Sequence, residues 1–351
     1  MAAPQQQTDS KLIAEVNQTT APSPIYHHAF AAPDAEIALE SAEGTLYRVH
    51  SYTLQTTSGL FKTLLSLPPP PGGHSTDPIP VYQPDTVLEP LLRLMCGLET
   101  PPWTSLDALS GVLFLAQNWD APGPLASLRS ALTSHKFLTN HPLRVYALAS
   151  HFGFRPETQL ASTRTLSSNI FSLESFDILS TMPASATLPL LRLHRARRDA
   201  LRTLFDSPER FLAGNGQPFH CSSCAITPLE NSTWRALKHR VLRELDVCSS
   251  GAAMQDYGVA AMQDYGIAAM QDYGVAAMQD YGIAVSRSGG MWGEDGMGNW
   301  PEAKACWAAV CVKPGCGATN YDRVATIRQM RACLDGLPFA VDVDWLDEDC
   351  M

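Results

Sequence analysis

Between residues 33 and 67 the hydrophobic period of the chain changes from two to the helical value, and that change commits it to a small sheet feeding short helices. Ile37 and Leu39 alternate with Ala38 and Glu40, and Ala42-Glu43-Gly44 supplies a turn. Leu46, Tyr47 and Val49 then resume an extended run, so a hairpin is expected. After His50, Leu54, Leu60, Phe61, Leu64 and Leu65 recur at helical spacing, with Ser58 placed to cap a helix start.

The same stretch resembles the opening of a BTB (POZ) domain, of the type expanded in mushroom-forming fungi. The resemblance is carried by Glu36-Ile37, the Ala42-Glu43-Gly44 turn, Tyr47-Arg48-Val49-His50, Leu54, Ser58-Gly59-Leu60-Phe61, and the run Phe61 to Pro68 with the prolines after it. It extends over residues 26–135 and more weakly to about 215. It implies an α+β fold, a small sheet covered by short helices, and a protein-interaction module that commonly forms homodimers through swapped N-terminal strands and the first helices. Apolar residues along 52–65, among them Leu54, Leu60, Phe61 and Leu64, would then be shared between a partner interface and the core. His50 would be a packed structural residue. Some members of the family recruit corepressors, and others bridge substrates to a cullin-based ubiquitin ligase. The chain departs from both patterns. It has Glu36 and Ser51 where corepressor-binding members pair an Asp with a basic residue, and Pro68 to Gly73 where a hydrophobic-x-Glu cullin motif is expected.

Residues 1–25 are polar, carry no sustained period and are expected to form a mobile arm. After the proline run, Ile79-Pro80-Val81 reads as an edge strand, since proline is tolerated in a sheet only there. Asp85 is placed as an acidic cap before Val87, Leu88, Leu91, Leu92 and Met95, and Ser105 precedes a second apolar face ended by Ala121-Pro122-Gly123. Leu125, Leu128 and Leu132 make a third. A helical extension over 136–215 starts at Asn140-His141-Pro142, with further helices at 156–168, 174–182 and 186–206. The last carries Arg192, His194, Arg195, Arg197, Arg198 and Arg202, which is either a patch for an acidic partner or a solvated helix face.

Residues 216–250 hold Cys221 and Cys224 and then a helix over 231–246 with Trp234, Leu237, Val241, Leu242 and Leu245 on one side. Region 251–300 contains four copies of an octapeptide, Ala-Ala-Met-Gln-Asp-Tyr-Gly followed by Val or Ile, and a Gly-rich piece. Eight residues do not close onto a helical period, so the tract is either a self-associating segment or a repeat expansion tolerated in a loop. Residues 301–351 begin with a helix after Trp300-Pro301. A second helix is capped by Asp322 and stopped by Gly336, and residues 339–348 then alternate apolar and acidic, as an edge strand or tail would.

A net charge of -10 argues against a general affinity for nucleic acid. The N-terminus lacks the apolar core of a signal peptide and no run reaches membrane-span length, so an intracellular protein of cytoplasm or nucleus, without a membrane partner, is expected. Nine cysteines in that setting do not read as a disulfide framework, and the sequons at Asn17 and Asn231 read as chance. Cys221-x-x-Cys224 can reach one tetrahedral zinc, and Cys311-Val312-Lys313-Pro314-Gly315-Cys316, turned by Pro-Gly, is the best second pair; Cys248 and Cys306 are reserves. The plain alternative is that these cysteines are core residues. A thioredoxin-like role lacks the βαβ context, and no nucleophile, P-loop or zincin motif occurs.

Three functions follow. The first is a non-enzymatic, self-associating BTB interaction protein, with Glu36, His50, Leu54, Ser58, Leu60, Phe61 and Leu64 as its signature residues and a possible structural zinc as its one cofactor. The second is a cullin adaptor on the same scaffold. The third is a zinc- or thiol-dependent enzyme built on the C-terminal cysteines.

Overall fold

The computed structural model describes residues 25–67, 77–207, 211–212, 220–221, 223–229, 231–250 and 297–342. The expected N-terminal arm, the proline run, His74, the octapeptides and the end of the acidic tail lie outside them, apart from Ile25. The fold is mixed α and β, mostly helical, with one three-stranded sheet. It divides into two compact units between Leu132 and Thr133.

In the N-terminal unit, β1 (Ile37–Glu40) pairs antiparallel with β2 (Leu46–Val49) in the register Ile37 with Val49, and parallel with β3 (Ile79–Pro80), giving the order β2-β1-β3. Gly44 takes φ +81° in the hairpin turn, a conformation that favours glycine. The helices are α1 (Ser51–Thr57), α2 (Gly59–Leu64), α3 (Asp85–Met95), α4 (Leu106–Asn118) and α5 (Pro122–Leu132). Leu39, Tyr47, Leu54, Phe61, Leu88, Leu91, Leu92, Leu109, Leu113 and Leu128 form the core.

Six residues of α2 are too few to be stable alone, and α4 supplies what they lack. Ser58 Oγ accepts from the Phe61 N–H at 3.2 Å and donates to the Trp119 carbonyl. The N–H groups of Gly59 and Leu60 donate to Asp120 and Trp119 carbonyls at 2.9 and 3.2 Å. The orphan donors of one helix start thus meet the acceptors just past another helix end. The approach is so close that a Cβ at position 59 would lie 2.0 Å from Asp120 Oδ2.

Two expectations for this unit are corrected. Asp85 is not the cap of α3: Pro84 occupies that position, and Asp85 begins the helix. Its carboxylate accepts from Thr45 Oγ1 at 2.7 Å and Tyr47 OH at 2.9 Å, which fastens α3 to the hairpin. Burial raises the Asp85 pKa, but hydroxyls of Ser41, Thr45 and Tyr47 outweigh it and hold the group below its ordinary value. Helix α4 ends at Asn118, before Ala121-Pro122-Gly123, and Pro122 and Gly123 also open α5, because proline at a helix start loses no bonded donor. His50 is not packed. Its side chain is 48% exposed and lies 3.7 and 3.9 Å from the Glu36 and Asp34 carboxylates.

The C-terminal unit contains α6 (His135–Asn140), α7 (Pro142–His151), α8 (Arg155–Thr165), α9 (Leu173–Thr181), α10 (Ala184–Asp206), α11 (Ser232–Val247), α12 (Pro301–Ala308) and α13 (Arg323–Asp335). Leu201 and Phe205 of α10 share one core with Phe211, Trp234, Leu237 and Val241, with Met297, Trp300 and Cys306, and with Ile327 and Met330. Phe211 stacks on Trp234 with centroids 5.1 Å apart. The helical extension and both cysteine-bearing regions are therefore packed as a single body. Residues 339–342, where an edge strand was one expectation, form no strand.

The basic helix α10 is not one solvated face. Arg195 and Arg198 are exposed and paired with Asp199 and Asp246 at 3.5 and 3.0 Å, but His194 and Arg197 are buried. His194 Nδ1 and Nε2 lie 2.9 and 3.2 Å from Ser249 Oγ and Thr165 Oγ1. Arg197 Nε donates to the Ser249 carbonyl at 2.7 Å, and Nη1 donates to the Pro338 carbonyl. Close by, Ser162 Oγ accepts from the Val341 N–H at 3.0 Å.

Burial, with the Arg197 charge beside it, pushes the His194 pKa down to about 4. A histidine with a depressed folded pKa takes up a proton more readily when unfolded, so its stabilisation is intact above about pH 6.5 and is lost as pH falls toward 4. His194→Gln is expected to reduce the difference in unfolding free energy between pH 7.5 and pH 5 by on the order of 1–3 kcal/mol, measured by urea denaturation. An unchanged difference would exclude His194 as the source.

Candidate metal centre

Four sulfurs of the C-terminal unit converge from two short turns. In the first, His220 bridges antiparallel to Pro228, the Cys221 N–H donates to the Thr227 carbonyl at 2.9 Å, and the Ala225 N–H returns to the Cys221 carbonyl at 2.8 Å. Ala225 sits at φ +52°, so the chain folds back just after Cys224. In the second, Val310 bridges to Thr319 and the Cys311 N–H donates to the Ala318 carbonyl at 2.8 Å. Gly315 and Gly317 on either side of Cys316 take φ +80° and +59°. Each turn is a knuckle with its two sulfurs on the inside.

Cys221, Cys224, Cys311 and Cys316 place their Sγ atoms within 4.8 Å of one another. Cys221 and Cys316 are 3.6 Å apart, and Cys224 and Cys311 are 3.9 Å apart. A tetrahedral ion with metal–sulfur bonds of about 2.3 Å requires sulfur–sulfur edges of about 3.8 Å. The two pairs straddle that value and are far from the roughly 2.05 Å of a disulfide. Cys221 and Cys311 are buried, while Cys224 and Cys316 are partly exposed.

Backbone donors prepare the first knuckle for thiolates. The Ile226 N–H, then the Thr227 hydroxyl and N–H, bring the Cys224 pKa down to about 5. The N–H groups of Cys224 and Ser223 lower that of Cys221. At Cys311 the Lys313 N–H also favours the thiolate, but burial and the Cys221 and Cys224 sulfurs outweigh it and raise the pKa. Crowded sulfurs cannot all ionise unless a cation offsets them. The donor set fits a divalent ion that accepts four thiolates.

The reserve cysteines do not join the cluster. Cys306 is in the core, where burial pushes its thiol up to about 12, and Cys248 lies 3.7 Å from the Leu166 and Ser167 carbonyls. Thr227 was not anticipated, and no spacing rule points to it. The Pro314-Gly315 turn carried a sequence signal.

The signature residues of the N-terminal unit surround α1 and α2. Glu36 accepts from the Ser51 N–H at 2.9 Å and so caps α1 from outside the helix, and that N–H holds its carboxyl below the ordinary value. Leu54, Ser58 and Phe61 are buried, but Tyr52, Leu60 and Leu64 are 76%, 43% and 41% exposed. Among the described residues no helix is long and apolar enough to cross a membrane. Comparison with protein-family models gives no match for this chain, and comparison with curated proteins gives none either.

Proposed function

We propose that the chain is a non-enzymatic BTB-type interaction protein that self-associates through α1 and α2, and that a structural zinc ion closes its larger unit. The observation that carries the interaction reading is the two-sidedness of those helices. They bury Leu54 and Phe61, the latter edge-on to Trp119, yet keep Tyr52, Leu60 and Leu64 at the surface. The succession of hairpin, α1, α2, edge strand, α3 and α4 is consistent with the order expected of the family. Light scattering on the eluting full chain tests it. The double variant Leu60→Asp, Leu64→Asp should run as a monomer with an unchanged helical spectrum, whereas Phe61→Asp should lose the fold of the unit. A wild-type chain that is monomeric at micromolar concentration refutes self-association. Recovery of a cullin from an extract by the wild type would move the reading to an adaptor.

Zinc is the ion proposed because the four ligands are all sulfur, at tetrahedral spacing, with none of the open position a catalytic zinc keeps. Its role would be to fasten the two knuckles. Elemental analysis of the chain purified without added metal should find one zinc per chain. Less than a tenth of that, in protein that is folded, refutes it.

A further inference from the structure

All four sulfurs lie within 4.8 Å of one another, and contacts of 3.6 Å, Cys221 to Cys316, and 3.9 Å, Cys224 to Cys311, run between the knuckles. Each joins a partly exposed sulfur that a small oxidant can reach, Cys316 or Cys224, to a buried one already in contact with it. We propose that the tetrathiolate is a peroxide-responsive clip: hydrogen peroxide or an organic peroxide expels the metal but leaves the knuckles covalently joined, as Cys221–Cys316 and Cys224–Cys311 disulfides. The inference rests on the zinc reading above.

The chemistry balances. The Cys224 thiolate attacks one peroxide oxygen, the O–O bond breaks, and a sulfenic acid forms with release of hydroxide or an alkoxide. The Cys311 thiolate then displaces hydroxide from that sulfur to form the S–S bond. Two electrons pass from the sulfur pair to one peroxide. The Cys316 and Cys221 pair repeats the sequence with a second peroxide, and the ion leaves as its ligands are consumed. The sequence separations of these pairs, 87 and 95 residues, mean that the oxidised chain keeps the long-range tie that the ion provided. Disulfides within each knuckle would instead sever it.

The test uses the full chain. Zinc is first quantified, then hydrogen peroxide is titrated in while a chromogenic chelator reports zinc release, and the product is mapped by non-reducing peptide mass spectrometry. The expected result is one zinc released per two peroxides, with cross-linked peptides joining 221 to 316 and 224 to 311. Thiol reductant and zinc should restore the starting state. Stoichiometric zinc that survives a large excess of peroxide overturns the clip while leaving the zinc reading intact. So does release with 221–224 and 311–316 disulfides or irreversible sulfinic acids. Absence of zinc at the outset sinks both.

Discussion

Replacing Cys224 or Cys311 with serine is expected to abolish zinc binding and to lower the thermal midpoint of the C-terminal unit by about 10 °C, since roughly 3–5 kcal/mol of stability corresponds to about 2–4 °C each in a domain of this size. The magnitude follows from what the ion would hold. The two knuckles bring their four sulfurs together, while the helices behind them keep a core that includes Trp234, Leu237, Met297, Trp300 and Met330. The variant should therefore lose the knuckles and soften the ends of the core without unfolding outright. Differential scanning calorimetry with and without a chelator is the check. A chelator should shift the wild type by a similar amount and the variants not at all. Equal midpoints for wild type and variants would mean that the sulfurs carry no structural load.

Arg197→Ala is expected to cost about 2–4 kcal/mol, because it strands the buried Ser249 carbonyl, which costs about 1–3 kcal/mol when unpaired, and loses the part-buried bond to the Pro338 carbonyl together with the packing of the side chain. Ser249 O and Pro338 O both receive Arg197, so one side chain ties α10 to the segment after α11 and the segment after α13. Urea denaturation should show the loss as a lower midpoint, with residues near Val341 gaining hydrogen exchange. Arg197→Lys should recover only part of it, since a single ammonium lacks the fork geometry that reaches both carbonyls. A variant as stable as the wild type would assign those carbonyls to water.

Much of the fold is legible where local chemistry and packing agree. Ser58, Ser105 and Asp322 each cap the helix that their position suggested. The change from period two to helical spacing at His50 marks the junction of β2 and α1. Helix α6 escaped notice because six residues do not complete two turns of apolar spacing. Asp85 misled because an acidic residue at the first helical position looks the same in sequence as a cap, and only the hairpin reveals Thr45 and Tyr47 as its partners. The basic residues of α10 form one run along the chain, whereas the helix sorts them by face. Leu190, Leu193, Arg197, Leu201 and Phe205 follow helical spacing and are all buried, so the position of Arg197 was in principle readable from its apolar neighbours. For the cysteines, the spacing within each pair marked all four candidates, but which sulfur meets which across the site depends on how α11 and α12 pack.

The sulfur cluster also sets a timetable for biosynthesis. The N-terminal unit is complete at Leu132, long before Cys311 is made, and the cluster cannot close until the 95-residue separation between Cys221 and Cys316 has been translated. At about 5–20 residues per second that interval is about 5–20 s. During it the ribosome presents a Cys-x-x-Cys half-site whose partners do not yet exist. The order of synthesis is thus written into the position of the ligands: the residues of the first unit are made before either knuckle, and the last knuckle is made long after the first.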